Sequence, residues 1–200
     1  ESSTIYASGM FVRSLNETPS NFRSQKSLPE FLKQHKSMGI CDIDTRYLTK
    51  MIRDSGPKMM IASTEVSDPE KLKAMLTSSP RIEEVNYIEK VSTPKSYVHD
   101  HGVWNAETQS YNATPKRLGK KILAVDLGIK HNILNELYEV GLDVEVVPHN
   151  FSGDDAIARY KKGEIHGVFL SNGPGDPEPC DYAISAIQDI LTSKKPVFGI

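Results

Sequence analysis

Along the second half of the chain, apolar positions fall into short continuous runs separated by stretches with helical spacing. Lys121-Ile122-Leu123-Ala124-Val125-Asp126 reads as a buried strand ending in an acid, Leu142 to Val147 as a strand closed by Pro148, and Ile165 to Leu170 as a third. Pro196-Val197-Phe198-Gly199-Ile200 begins a fourth. Between them, Ile133, Leu134, Leu137 and Tyr138 form a helix face stopped by Gly141, and a short acidic-capped helix runs from Asp154 to Tyr160. A last helix turns Ile184, Ile187, Ile190 and Leu191 inward. Strands alternating with helices at this spacing predict an α/β fold with a parallel sheet and right-handed crossovers. A dinucleotide-binding version is disfavoured, because Asp126-Leu127-Gly128-Ile129-Lys130 after the first strand is not GxGxxG.

The first half is less regular. Ile5 to Leu15 is strand-like with weak alternation, and Ser27-Leu28-Pro29-Glu30 reads as a capping box opening a helix that buries Phe31 and Leu32. Gly39 to Ile43 reads as a short strand, followed by an N-cap at Asp44-Thr45 and a helix with Leu48, Met51 and Ile52 on one face. Gly56 is its stop, Met59 to Ser63 returns as a strand, and Asp68-Pro69 starts a helix with Leu72, Met75 and Leu76 inward. The pattern predicts a small mixed α/β domain over 1–90, a linker over 91–118 with one short strand near Ser96 to Trp104, and a parallel-sheet domain over 119–200. His99 and His101 flank Asp100 in that linker. With no third ligand in view they read as a solvated segment rather than a metal site. Trp104 reads as a packing residue, and Asp44 with Arg46 as an ion pair within the domain.

A hydrophobic fraction of 38%, a charged fraction of 25% and a formal net charge of −2 describe an ordinary globular chain. Without a concentrated Lys/Arg tract, neither a nucleic-acid nor an anionic-membrane partner is expected. No apolar run approaches the roughly 20 residues of a membrane span, and no signal peptide opens the chain. Cys41 and Cys180 lie far apart without metal-ligand spacing, which points to free thiols and a reducing compartment. The chain opens without Met and stops within a strand pattern, so both ends read as cut.

The candidate chemistry sits in Ser171-Asn172-Gly173-Pro174-Gly175-Asp176-Pro177, a loop at the carboxyl end of the third strand. Ligands bind at that end of open α/β sheets. Its glycines allow close backbone approach or φ > 0, its prolines stiffen the turn, and rigidly held N–H groups can donate to an oxyanion or carboxylate. The competing reading is a tight turn without chemistry. Lys130 and Asn132 follow another carboxyl-end turn, as ligand contacts or, for Asn132, as a helix cap.

Leu170 to Pro177, the helix after it and Pro196-Val197-Phe198-Gly199-Ile200 strongly resemble the class I (triad-type) glutamine amidotransferases. Ser20-Asn21-Phe22-Arg23, Asp42-Ile43-Asp44-Thr45-Arg46 with Leu48-Thr49, and Asp126 to Leu134 narrow the resemblance to the small-subunit family of carbamoyl phosphate synthetases. Pro179-Cys180-Asp181-Tyr182 resembles its separate-chain bacterial form, and Met60 stands where that family has a glycine. The resemblance implies a flavodoxin-like amidotransferase domain, of which 119–200 is the amino-terminal part. It implies a cytoplasmic enzyme that hydrolyses L-glutamine to glutamate and ammonia. The ammonia passes to a large subunit, in a heterodimer or higher assembly, that makes carbamoyl phosphate from bicarbonate and ATP for arginine and pyrimidine synthesis. No cofactor is then expected on this chain, ATP and Mg belonging to the large subunit.

By the same resemblance Gly173 supplies an oxyanion N–H, and Gly175 contacts the α-amino acid end of glutamine. The nucleophilic cysteine is expected directly after Ile200 and the His and Glu of the triad further on, so no catalytic residue falls within 1–200. Cys180 follows the wrong strand, and the glutamine-binding serine is expected upstream of Glu1. Two alternatives stay open: another class I amidotransferase subunit, of the anthranilate synthase or GMP synthetase type, and a catalytically silent assembly subunit. Residues 1–90 speak against the first, and the residue after Ile200 decides the second.

Overall fold

A computed structural model describes residues 5, 7–113, 115–175 and 180–200, and the chain divides into two units, Glu1–Ser79 and Pro80–Ile200. In the first unit, β1 (Gly9–Phe11) is followed by α1 (Leu28–Gln34), β2 (Met38–Ile40), α2 (Thr45–Ser55) and α3 (Pro69–Thr77). β1 and β2 pair in parallel, with Gly9 opposite Met38 and Phe11 opposite Ile40. The capping box at α1 forms as predicted, Ser27 N donating to Glu30 Oε2 at 2.9 Å and Glu30 N to Ser27 Oγ at 3.4 Å. Asp44 caps α2 through Tyr47 N at 2.9 Å and Asp68 caps α3 through Glu70 N at 3.0 Å, while Gly56, at φ 77°, ends α2. No ion pair joins Asp44 to Arg46 among the described residues.

Strand expectations hold only in part here, the one over Gly39 to Ile43 ending at Ile40. The strand read over Ile5 to Leu15 shrinks to three residues because its partner β2 offers only three, and Met59 to Ser63 is irregular. The apolar sides stay poorly covered as well. Met75 is exposed, and Met10, Val12, Leu15, Leu32 and Ile40 line an open cleft of about 370 Å3. All fully buried apolar side chains among the described residues lie between Ile88 and Ile190.

The second unit starts earlier than the pattern suggested. After a 3-10 turn (Ile82–Glu84) and α4 (Ile88–Val91), Ile88 packs with Cys180 and Ala183, so this stretch belongs with the later sheet. β3 (Tyr97–His99) and the hairpin β4 (Trp104–Asn105) and β5 (Ser110–Tyr111) occupy the segment read as a linker. Then come β6 (Lys121–Asp126), α5 (His131–Glu139), β7 (Asp143–Pro148), α6 (Gly153–Lys161), β8 (Gly167–Leu170), α7 (Asp181–Thr192) and β9 (Val197–Gly199). The sheet order is β3-β7-β6-β8-β9, with β3 antiparallel and the other four strands parallel. The α/β architecture, with the strands at 121–126 and 165–170 in one parallel sheet, is as predicted; β6 and β8 are also neighbours, Ile122 facing Gly167 and Val125 facing Leu170.

Alternate residues of β6 feed two core layers. Ala124, Val144, Val146 and Phe169 meet Leu134 of α5 on one face, while Leu123, Val125, Val147 and Val168 meet Ala156 of α6 and Ile190 of α7 on the other. Right-handed crossovers running in opposite directions from the centre require this division of helices. The α7 face is displaced from its prediction. Ala183, Ala186 and Ile190 are buried, whereas Ile184 and Leu191 are exposed. The cause is close helix approach: a Cβ on Gly153 of α6 would lie 2.8 Å from the Ala186 carbonyl oxygen, so the contact admits only small residues.

Nor is the former linker solvated at His99, which is buried, with Nε2 3.0 Å from Asn135 Oδ1 of α5. Glu139 at the end of α5 accepts from Val103 N at 3.1 Å and Asn112 Nδ2 at 2.9 Å, fixing the segment to that helix. Burial, with the neighbouring His101 adding to it, lowers the His99 pKa below its ordinary value. The unfolded chain then takes up a proton at higher pH than the folded one, so folded-state stability falls as pH drops below about 6.5. Denaturant midpoints should therefore decline from about pH 7 toward about pH 5, and His99→Gln should flatten that decline. An unchanged slope in the variant would show that His99 does not carry it.

Candidate functional site

β6 and β8 lie side by side at the centre of the sheet, but the chain leaves them in opposite directions, toward β7 from one and toward β9 from the other. Their carboxyl ends therefore flank the topological switch point, where a crevice for ligands opens. The loop after β6 holds Asp126, Leu127 and Gly128, and the loop after β8 holds Ser171 to Gly175.

Asp126 is buried, and its carboxylate accepts three backbone N–H groups: Gly128 and Ile129 at 2.9 Å on Oδ1, and Thr93 at 2.7 Å on Oδ2. One side chain thus shapes the β6 turn and ties the segment after α4 to it. The hydroxyl of buried Ser171 accepts from Leu127 N at 2.9 Å and donates to Asn172 O at 2.8 Å. Beyond Ser171 the loop is exposed from Asn172 to Gly175.

The glycines act differently from one another. Gly173 has no positive φ, but a Cβ there would collide with the Leu127 carbonyl oxygen. Gly175 takes φ 79°, with Tyr87 beside it, and Gly128 takes φ 117° where a Cβ would lie 2.9 Å from Pro174 Cδ. Backbone is thus packed against backbone across the switch point. Asp176, Pro177 and Pro179, also read as part of the motif, lie outside the described residues.

Of the other residues singled out, Lys130 is the N-cap residue of α5 without a side-chain cap bond, and Asn132 is exposed inside the helix, not its cap. Cys41 is exposed in the first unit; Cys180 is buried at the start of α7, where burial pushes its thiol above the ordinary range. Trp104 packs edge-on against Tyr111 at 5.2 Å between ring centres. No group of three or more His, Cys, Asp or Glu able to hold a metal occurs among the described residues, and none of their helices is long and apolar enough to cross a membrane.

Sequence reasoning missed a polar cluster beside the loop. His149, just after β7, holds Nδ1 2.6 Å from Tyr182 Oη of α7, and Asn86 Nδ2 donates to the same oxygen at 3.3 Å. Cys180 Sγ lies 3.7 Å from Asn86 Oδ1, which also accepts from Ile88 N at 3.1 Å. No local pattern announces it, since its members come from three distant segments. Ser171 and Asp126 were at least visible as polar residues closing apolar strands.

Residues 123–200 match the family model described as glutamine amidotransferase class-I, and residues 1–62 match that of the carbamoyl-phosphate synthase small chain, CPSase domain. Over its full 200 residues the chain is 50% identical to the carbamoyl phosphate synthase small chain of Campylobacter jejuni, covering 54% of that protein. It is 46% identical to the protein of that name from Helicobacter hepaticus, covering 53% of it, and 41% identical to the one from Pasteurella multocida, covering 50%. The chain spans about half the length of the curated relatives it matches. Similarity to carbamoyl phosphate synthase small chains thus runs through the whole chain, with the small-chain CPSase model matched over 1–62 and the class-I amidotransferase model over 123–200.

Proposed function

We propose that the protein is the glutaminase component of a carbamoyl phosphate synthase, and that residues 171–175 form part of its glutamine site. The observation that carries this is the exposed Ser171–Gly175 loop fixed at the switch point of a parallel sheet within the stretch matched to the amidotransferase family. Hydrolysis of a carboxamide adds water and passes through an oxyanion, which a rigid backbone N–H can stabilise. Gly173 supplies that donor and Gly175 contacts the α-amino acid end of glutamine. The nucleophilic cysteine, its histidine base and the orienting glutamate lie outside residues 1–200. Glutamine and water give glutamate and ammonia, which a large partner subunit combines with bicarbonate and ATP. This chain carries no cofactor of its own, ATP and Mg binding to the partner, and the assembly works in the cytoplasm.

The full-length protein with its large partner should make carbamoyl phosphate from glutamine or from added ammonia. Residues 1–200 alone should show no thiol-dependent glutamine hydrolysis, because Cys41 lies in the other unit and Cys180 is buried with its thiol protonated by desolvation. A full-length complex that uses ammonia and not glutamine would identify a silent assembly subunit instead. Hydrolysis by 1–200 that is lost on alkylation would place the nucleophile at Cys180 or Cys41.

A further inference from the structure

The residue that sets the glutamine loop in place is not one of its glycines. We infer that Ser171 is a positioning residue for the oxyanion donor, acting through Leu127 and the Asn172 carbonyl; the assignment rests on the glutaminase function proposed above. The geometry converges on Leu127. Its N–H donates to Ser171 Oγ at 2.9 Å, and its carbonyl oxygen stands against Gly173 where a Cβ would collide with it. The same Ser171 hydroxyl donates to Asn172 O at 2.8 Å, the carbonyl of the peptide whose nitrogen belongs to Gly173. One side chain therefore holds the peptide that leads into Gly173 and the N–H of the residue whose carbonyl Gly173 rests on.

Ser171 is buried, at 4% exposure, while Asn172, Gly173, Pro174 and Gly175 are exposed, so the hydroxyl acts from beneath a loop open to solvent. Ser171 N also donates to Val125 O at 3.3 Å, which continues the β6–β8 ladder up to the loop. Without the hydroxyl, the backbone remains anchored at Val125 but loses its tie to Leu127 and Asn172. The peptide plane at 172–173 is then free to rotate. A donor aimed at a developing charge loses most of its effect when displaced by a fraction of an ångström, whereas glutamine binding depends on many other contacts.

The test uses the full-length protein with its large partner. Ser171→Ala should lower kcat for glutamine hydrolysis by about tenfold or more while KM moves by less than about threefold, because the donor is needed in the transition state. Synthesis from added ammonia should be unchanged. Ser171→Thr, which keeps the hydroxyl, should recover most of the loss. With Gly173→Ala already in place, Ser171→Ala should cost little more, since both changes act on one donor.

Wild-type kcat in Ser171→Ala, additive losses in the double variant, absence of recovery in Ser171→Thr, or equal loss with both nitrogen sources would each overturn the assignment. An inactive wild-type glutaminase would remove the proposed function and this assignment together. An active wild type beside an indifferent Ser171→Ala removes this assignment alone.

Discussion

On the proposed glutaminase function, replacing Gly173 by alanine in the full-length protein should lower glutamine-dependent carbamoyl phosphate synthesis by roughly two or more orders of magnitude, the effect attached to loss of an oxyanion donor worth about 3 kcal/mol. The cause is specific to this position. Gly173 does not occupy the left-handed region, so alanine is not excluded by its dihedrals. It is excluded by the carbonyl oxygen of Leu127, a backbone atom that cannot swing aside as a flexible side chain would. The loop must therefore lift away from the β6 turn, taking the Gly173 N–H with it. Gly175 contrasts with it. At φ 79°, and with the Tyr87 ring 3.6 Å from where a Cβ would sit, alanine there meets dihedral strain of about 1 kcal/mol rather than collision. Synthesis from added ammonia, which needs no oxyanion on this chain, should stay near the wild-type rate in both variants. Parallel loss with the two nitrogen sources would make the loop structural only, and retention of both would move the glutamine site elsewhere.

The parts of this fold readable from sequence are those where one periodicity governs several residues. Ile122 to Val125 and Val168 to Leu170 are continuous apolar runs because their strands are covered on both faces, and they stand out for that reason. β3 is three residues long and owes its place to His99 bonding Asn135 and to pairing with Val144 through Val146, contacts that no window of the local sequence contains. On α7 the largest apolar residues drew the predicted face toward Ile184 and Leu191. The buried face follows Ala183 and Ala186 because Gly153 brings α6 close. The candidate site divides similarly. Its glycines could be read from the motif, but the packing that requires glycine at 173 depends on Leu127, 46 positions upstream by number, and only the strand order brings the two together.

Asp126→Ala should be the most damaging single change at this end of the sheet, lowering the stability of the second unit by on the order of 3 kcal/mol. The carboxylate accepts from Gly128, Ile129 and Thr93 in a buried position, so its removal leaves three N–H donors without their acceptor. Asp126→Asn should cost less, because its one amide oxygen can still serve Gly128 and Ile129. Its amide nitrogen then faces Thr93 N–H, donor against donor, and the segment after α4 is released. Trp104, the single tryptophan and a member of this unit, gives the fluorescence signal for denaturant unfolding of each variant. A second signal comes from Tyr97, whose phenol is held above its ordinary pKa first by burial and then by the Asp126 charge. With that charge removed, Tyr97 should ionise at lower pH in Asp126→Asn, as read by ultraviolet difference spectra. Unfolding midpoints equal to wild type in both variants would show that backbone pairing alone holds the β6 turn. The loop geometry around Leu127 and Gly173 would then owe nothing to this carboxylate.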